Sequence, residues 1–290
     1  MICYGMGNVF KHNKIFIFMC NSDKKIIIIN GVMGVIGSPI FSYFAEQGEH
    51  IIYGISRRGL YFEEYLNTNS GKLFEKNLVF SVADYKKDNY EIDIDNFVEA
   101  LPDLPIVFIH TMGEYVTEMN RSGEIKVNND NDGDGIDDNV KRLTYDVSMS
   151  FCKKLSQLKS QVTFVQIGSL SDKYRIDIHG SWLRSMDLLK CDLKNLCEKY
   201  QNFNALILNV SSVLTPKELI DRPFVSLKTN ADMRYWLPPV EIARFIDGYT
   251  GTEKKRLNEE ELYRKWPNIT QDHFSLESYK IRRSKELFKD

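Results

Sequence analysis

The sequence predicts an α/β protein: a doubly wound parallel sheet with helices on both faces. Three observations carry this reading. Apolar, β-branched runs recur along the chain, and most are nearly continuous rather than alternating, as strands covered on both faces must be. Helical patterns separate the runs, and such alternation leads to a parallel sheet wrapped by helices. A glycine-rich turn, Gly31 to Gly37, closes the first run and opens the first helix.

The first strand is "KIIIIN", Lys25–Asn30. The helix after it begins near Ser38, where Ser and Pro stand as start signals, and stops at Gly48. Further strands are expected at His50–Ser56, Asn77–Ala83, Pro105–Thr111, Val162–Gly168 and Asn204–Val210. Helices are expected at Asp95–Leu101, Val140–Leu158, Trp182–Tyr200 and Val240–Tyr249. From Thr250 onward the chain is charged and shows no strand run, so helices or loops on the edge of the sheet are expected there. This divides the chain into an N-terminal extension (1–23), a nucleotide-binding domain (24–251) and a C-terminal helical or loop segment packed on it (252–290). The extension reads as poorly ordered or peripheral, with a start-site artefact as the alternative.

The 290 residues are 43% hydrophobic and 27% charged, the balance of a soluble globular chain. A net charge of −2 gives no basic footprint for nucleic acid. The five cysteines, Cys3, Cys20, Cys152, Cys191 and Cys197, have neither metal spacing nor a disulfide framework. "KIFIFMC" is too short for a membrane span and lacks a cleavage site, so a cytoplasmic protein without membrane or nucleic-acid partners is expected.

Gly31, Gly34 and Gly37 follow a strand and precede a helix, the order a Rossmann-type dinucleotide site requires. The first glycine permits the turn, the second lets backbone approach a pyrophosphate, and the third allows close packing. Val35 and Ile36 complete the loop, and the helix N-terminus offers N–H groups to the phosphates. A purely structural turn is the alternative. The second strand ends in Ser56, Arg57 and Arg58, where a cofactor without a 2′-phosphate would meet an acid. Guanidinium groups suit a phosphate monoester, which points to NADP(H); two solvated loop arginines are the other reading. Asp84, after the third strand, stands where an aspartate can meet the adenine amino group.

These residues resemble the short-chain dehydrogenase/reductase superfamily over roughly Lys24 to Gly251. The glycine spacing resembles its extended or atypical branch, while the length and last strand are closer to the classical branch. "IHTMG" (Ile109–Gly113) resembles the family's "NNAG" segment, which makes Thr111, Met112 and Gly113 cofactor-side residues. "QIGSLS" resembles the strand end carrying the catalytic serine, here Ser169. "NVSSVLTP" resembles the segment touching the nicotinamide, with Val210, and "LPPVEIARFI" a late helix. The resemblance implies hydride transfer between nicotinamide and a carbonyl. In that chemistry a tyrosine gives the proton, a lysine one turn later tunes it, and an asparagine supports a water relay. It also admits a homodimer.

The sequence departs from that set. The tyrosine position falls on Trp182, the lysine on Met186 and the asparagine near Asp146. An indole N–H is no acid near pH 7, and a thioether carries no charge. Three rescues remain: Tyr174 swinging in from its loop, Lys190 reaching back from one turn beyond Met186 in place of the lysine, or a histidine, His110 or His179, giving the proton. Each has a plain alternative as a loop residue, a solvated charge or a satisfied strand-end histidine.

"DNDGDGIDDN" places Asp130, Asp132 and Asp134 at alternate positions, then Gly135 and Asp138, and resembles a calcium loop. The twelfth position is Lys141 rather than a carboxylate. The stretch is read as a disordered acidic insertion with no metal, and a weak calcium site is the alternative. Two functions therefore compete. One is an NADP(H)-dependent reductase acting on a small-molecule carbonyl (a sugar, sugar phosphate or sugar nucleotide by analogy of motif) with a non-standard proton donor. The other is an inactive NADP(H)-binding sensor, scaffold or partner.

Overall fold

The computed structural model describes residues 24–57, 77–87, 89–113, 118, 127, 129–170, 179–211, 213, 237–250 and 256–263. Its strands are β1 (Ile26–Asn30), β2 (Ile51–Ser56), β3 (Leu78–Val82), β4 (Ile106–His110), β5 (Val162–Ser169), β6 (Phe203–Val210) and β7 (Leu257–Leu262). They form one sheet in the order β3-β2-β1-β4-β5-β6-β7, with every pairing parallel. The order reverses between β1 and β4, the switch point where sheets of this kind open a crevice at their carboxyl ends.

The isoleucines of β1 show why the runs are continuous. Ile26 and Ile28 join one apolar cluster, Ile27 and Ile29 the cluster on the opposite face, and all four are buried. Each contributes about 1.5–3 kcal/mol by leaving water.

Helices α1 (Gly37–Gln47) and α6 (Pro239–Thr250) supply side chains to one cluster, and α2 (Tyr90–Glu99), α4 (Val147–Leu155) and α5 (Gly180–Lys199) to the other. Gly48 ends α1 as expected, in the left-handed region at φ 67°, with its N–H on the Ala45 carbonyl. Helix α2 starts five residues before the expected Asp95, at Tyr90. Glu91 and Asp93 in its first turn favour the helix dipole, and Ile94, Phe97 and Val98 make a buried face. The helix expected at Val140–Leu158 begins instead as a short turn, α3 (Asp138–Lys141), passes through a π-helical segment, Arg142–Asp146, and continues as α4. The Asp137 carboxylate starts it by accepting from the Asn139 and Val140 N–H groups.

Strand β7 corrects the expectation of helix or loop after Thr250. "LNEEEL" pairs in register with Ala205–Val210 of β6. Its glutamates hid it from a search for apolar runs, yet charge suits the edge of a sheet. Glu259 also finds partners across the fold: Lys190 Nζ at 2.6 Å and Asn209 Nδ2 at 2.7 Å. Among the described residues no helix is long and apolar enough to cross a membrane.

Candidate functional site

The turn after β1 is shaped from within. Gly31 sits at φ +91°, and a Cβ there would lie 2.7 Å from Met112 Cγ and 2.8 Å from Thr111 Oγ1. At Gly37 a Cβ would be 2.3 Å from the Gly31 carbonyl oxygen. These two glycines are bare because the protein itself fills the space. Gly34 differs. It is solvent-exposed, its φ lies outside the left-handed region, and a Cβ would meet only the Gly31 carbonyl oxygen, at 3.1 Å. Thr111 locks the turn to β4, with its hydroxyl on the Asn30 carbonyl at 3.0 Å and its N–H on the same oxygen at 3.0 Å.

Beneath the turn lies a row of buried polar side chains. Asn30, His110 and Gln166 stand in register on β1, β4 and β5. His110 Nε2 is 2.9 Å from the Leu143 carbonyl, which can only accept, so that nitrogen carries the proton. Its Nδ1 therefore accepts from Asn30 Nδ2 at 3.2 Å, and Asn30 Oδ1 accepts from the Tyr85 hydroxyl at 2.9 Å. The π-helical segment makes this possible. The Val147 N–H bonds to the Arg142 carbonyl, five residues back, rather than to Leu143. Burial pushes the imidazole down to about 4 and the Tyr85 phenol far up. His110 is thus a neutral structural link, which corrects its candidacy as proton donor.

The other substitutes fare differently. Lys190 is paired with Glu259 on β7 and does not reach back toward Met186. His179 is buried just before α5. Tyr174 lies outside the described residues. Ser169 ends β5 opposite Val210 of β6. Trp182 and Met186 are 6% and 1% exposed and belong to the apolar cluster of α4 and α5. The indole lies on Gly113, so close that a Cβ there would be 2.4 Å from Trp182 Cζ3. Asp146 is half-buried, and desolvation raises its carboxyl above the ordinary value.

On the cofactor side, Arg57 is exposed at the end of β2, while Arg58 lies outside the described residues. Ser56 is buried, and Val35 and Gly113 are exposed. Ile36 and Met112 are half-buried, and Met112 packs on the same cluster as Trp182. Asp84 accepts the Lys86 N–H in a turn at 3.3 Å. Val210 is buried in the cluster of α1 and α6, so its side chain serves the core rather than the crevice.

The acidic stretch is a folded turn, not a shapeless insertion. Asp130 accepts from the Gly133 and Gly135 N–H groups at 2.9 and 3.0 Å. Oxygens of Asp130, Asp132 and Asp134 lie within 4.8 Å of one another. The cation they meet is the chain's own: Lys141 Nζ bonds to Asp132 at 2.8 Å and to Asp134. That contact lowers the Asp132 carboxyl and raises the Lys141 ammonium. Asp138 accepts instead from Asn131. The turn is tied to α5 through the Asp137 N–H on Ser181 Oγ at 2.8 Å and Arg184 on the Gly135 carbonyl. Glu118, buried, accepts from the Ser181 N–H at 3.1 Å and from its hydroxyl.

Asn30, Tyr85, Glu118 and Ser181 escaped the sequence reading. Only Asn30 left a trace, as a polar residue closing an isoleucine run.

Taken together, these features define a Rossmann-type doubly wound protein with a glycine turn at its switch point. More particularly, the fold is that of the short-chain dehydrogenases/reductases. An alcohol dehydrogenase from the archaeon Thermococcus sibiricus, solved with 5-hydroxy-NADP, superposes at TM-score 0.62 and 14% identity, covering 85% of this chain and 100% of that one. A serine dehydrogenase solved with NADP+ gives 0.62 at 12% identity, covering 84% and 98%. A short-chain dehydrogenase from Shigella flexneri solved with NADP gives 0.65 at 13% identity, covering 82% and 96%. No family model matches the sequence, and no curated protein sequence matches it.

Proposed function

We propose that this chain binds NADP(H) in the crevice between β1 and β4, on a short-chain dehydrogenase scaffold. The observation that carries the reading is Gly34: exposed before α1, it is the one of the three turn glycines whose bareness the protein's own packing demands least. Arg57 is the group assigned to the 2′-phosphate, with Arg58 beside it in sequence. Three similarly folded dehydrogenases solved with NADP-type cofactors support the same choice.

As an oxidoreductase, the chain would act on a carbonyl or hydroxyl of a small molecule, with sugars and their phosphates or nucleotides suggested by motif analogy alone. NADP(H), when bound, supplies the hydride chemistry. Ser169 would hold the carbonyl oxygen. Tyr174 would give the proton, because His110 is committed at both nitrogens; Lys190, paired with Glu259, is not placed to tune it. A second reading, a catalytically silent NADP(H) binder, is favoured by Trp182 and Met186, which fill the acid and lysine positions with buried apolar side chains. The geometry of the described residues supports this second reading better.

Calorimetric titration with NADPH followed by a carbonyl screen, on wild type and Tyr174→Phe, separates them. Turnover that Tyr174→Phe abolishes while binding persists supports the oxidoreductase. Saturable binding without turnover of any carbonyl supports the silent binder, and no binding refutes both.

A further inference from the structure

We infer that the crevice recognises the 2′-phospho-ADP half of NADP(H) and leaves the nicotinamide half outside, because the Trp182 indole stands in the second half of the site. The inference rests on the nucleotide-binding reading and narrows it to one half of the ligand. A doubly wound sheet offers two mononucleotide halves, one on each side of its switch point. Here β1, β2 and β3 build the first, and β4, β5 and β6 the second.

The first half ends in open groups. Gly34 and Arg57 are exposed, and Asp84 is half-exposed. The second half carries an aromatic ring just beyond the end of β4. The Trp182 ring lies against Gly113, itself exposed, with Cζ3 and Cη2 at 2.4 and 2.8 Å from where a Cβ would stand. Beside it, Met112 lies against Gly31 and packs on the same apolar cluster. This is core packing rather than a ring laid on the surface: Trp182 is 6% exposed and clusters with Met186. An indole and a nicotinamide are flat rings of similar width, and close-packed interiors leave no room for both in one seat. Affinity then comes from the phosphates and the adenosine, while the nicotinamide ring adds nothing and stays in water.

Calorimetry on the full chain with 2′,5′-ADP and with NADPH tests this, together with the nicotinamide fluorescence of bound NADPH. The expected result is affinities within about fivefold of each other, with nicotinamide emission unchanged from free NADPH. Trp182→Ala should open the seat and raise the preference for NADPH over 2′,5′-ADP by about tenfold. A wild-type preference for NADPH beyond about fivefold, with enhanced and blue-shifted emission, would overturn the inference while leaving the nucleotide site standing. Binding of neither ligand would refute the site itself. Should Trp182→Ala fail to fold, the two wild-type measurements still decide.

Discussion

His110 makes stability depend on pH in a way that can be worked out in advance. In the folded chain it is fully buried and neutral, pushed down from the ordinary 6.5 to about 4 by desolvation. The unfolded chain takes up a proton near pH 6.5 that the folded chain refuses until about pH 4. The stabilisation is therefore complete above pH 6.5 and is lost as pH falls toward 4. At about 1.4 kcal/mol per pH unit, going from pH 8 to pH 5 removes about 2 kcal/mol, and the whole window about 3 kcal/mol. His110→Gln tests this directly. Its amide offers an N–H toward the Leu143 carbonyl and an oxygen toward Asn30, and it does not titrate. Urea unfolding of wild type and variant at both pH values cancels every other titrating group in the difference. Wild type should lose about 2 kcal/mol more than His110→Gln. Parallel losses, within about 0.5 kcal/mol, would refute the assignment of a buried neutral imidazole linking β4 to the π-helical segment.

Four further substitutions have expected outcomes. Gly37→Ala drives a methyl to 2.3 Å from the Gly31 carbonyl and should destabilise the chain by at least about 3 kcal/mol in urea unfolding. Gly34→Ala should cost about 1 kcal/mol or less yet weaken NADPH binding by about tenfold or more, and equal effects of the two on stability would contradict the turn geometry. Arg57→Ala should reduce the NADPH-over-NADH preference by about tenfold in competition titration, and an unchanged ratio would remove the phosphate assignment. Met186→Lys places an ammonium where the wild-type side chain is 1% exposed. It should lower stability by about 3 kcal/mol or more, whereas a site still open to a tuning lysine would tolerate it.

The sequence by itself determined the order of strands and helices before β7, the glycine turn and the end of α1 at Gly48. Continuous β-branched runs and αL-requiring stops are local properties, legible wherever burial on two faces or a positive φ dictates the residue. It also placed Trp182 and Met186 where the family resemblance implies a tyrosine and a lysine. Tertiary structure alone decided what these two side chains pack against. Trp182 lies against Gly113 from another element, and Met186 lies in a core assembled from α4, α5 and the sheet. His110, a candidate acid by its type, became a neutral link because Asn30 and Leu143 meet it across 80 and 33 residues of chain. Lys141 was visible in the sequence at the twelfth position of the acidic stretch, but only folding brought its ammonium onto Asp132 and Asp134. Strand β7 was hidden for the same reason: the partners of Glu259 are Lys190 and Asn209, and pairing across the fold makes a charged run a stable edge. Residue type and spacing carry what a segment prefers alone; the partner that neutralises, buries or displaces a group arrives only with the fold.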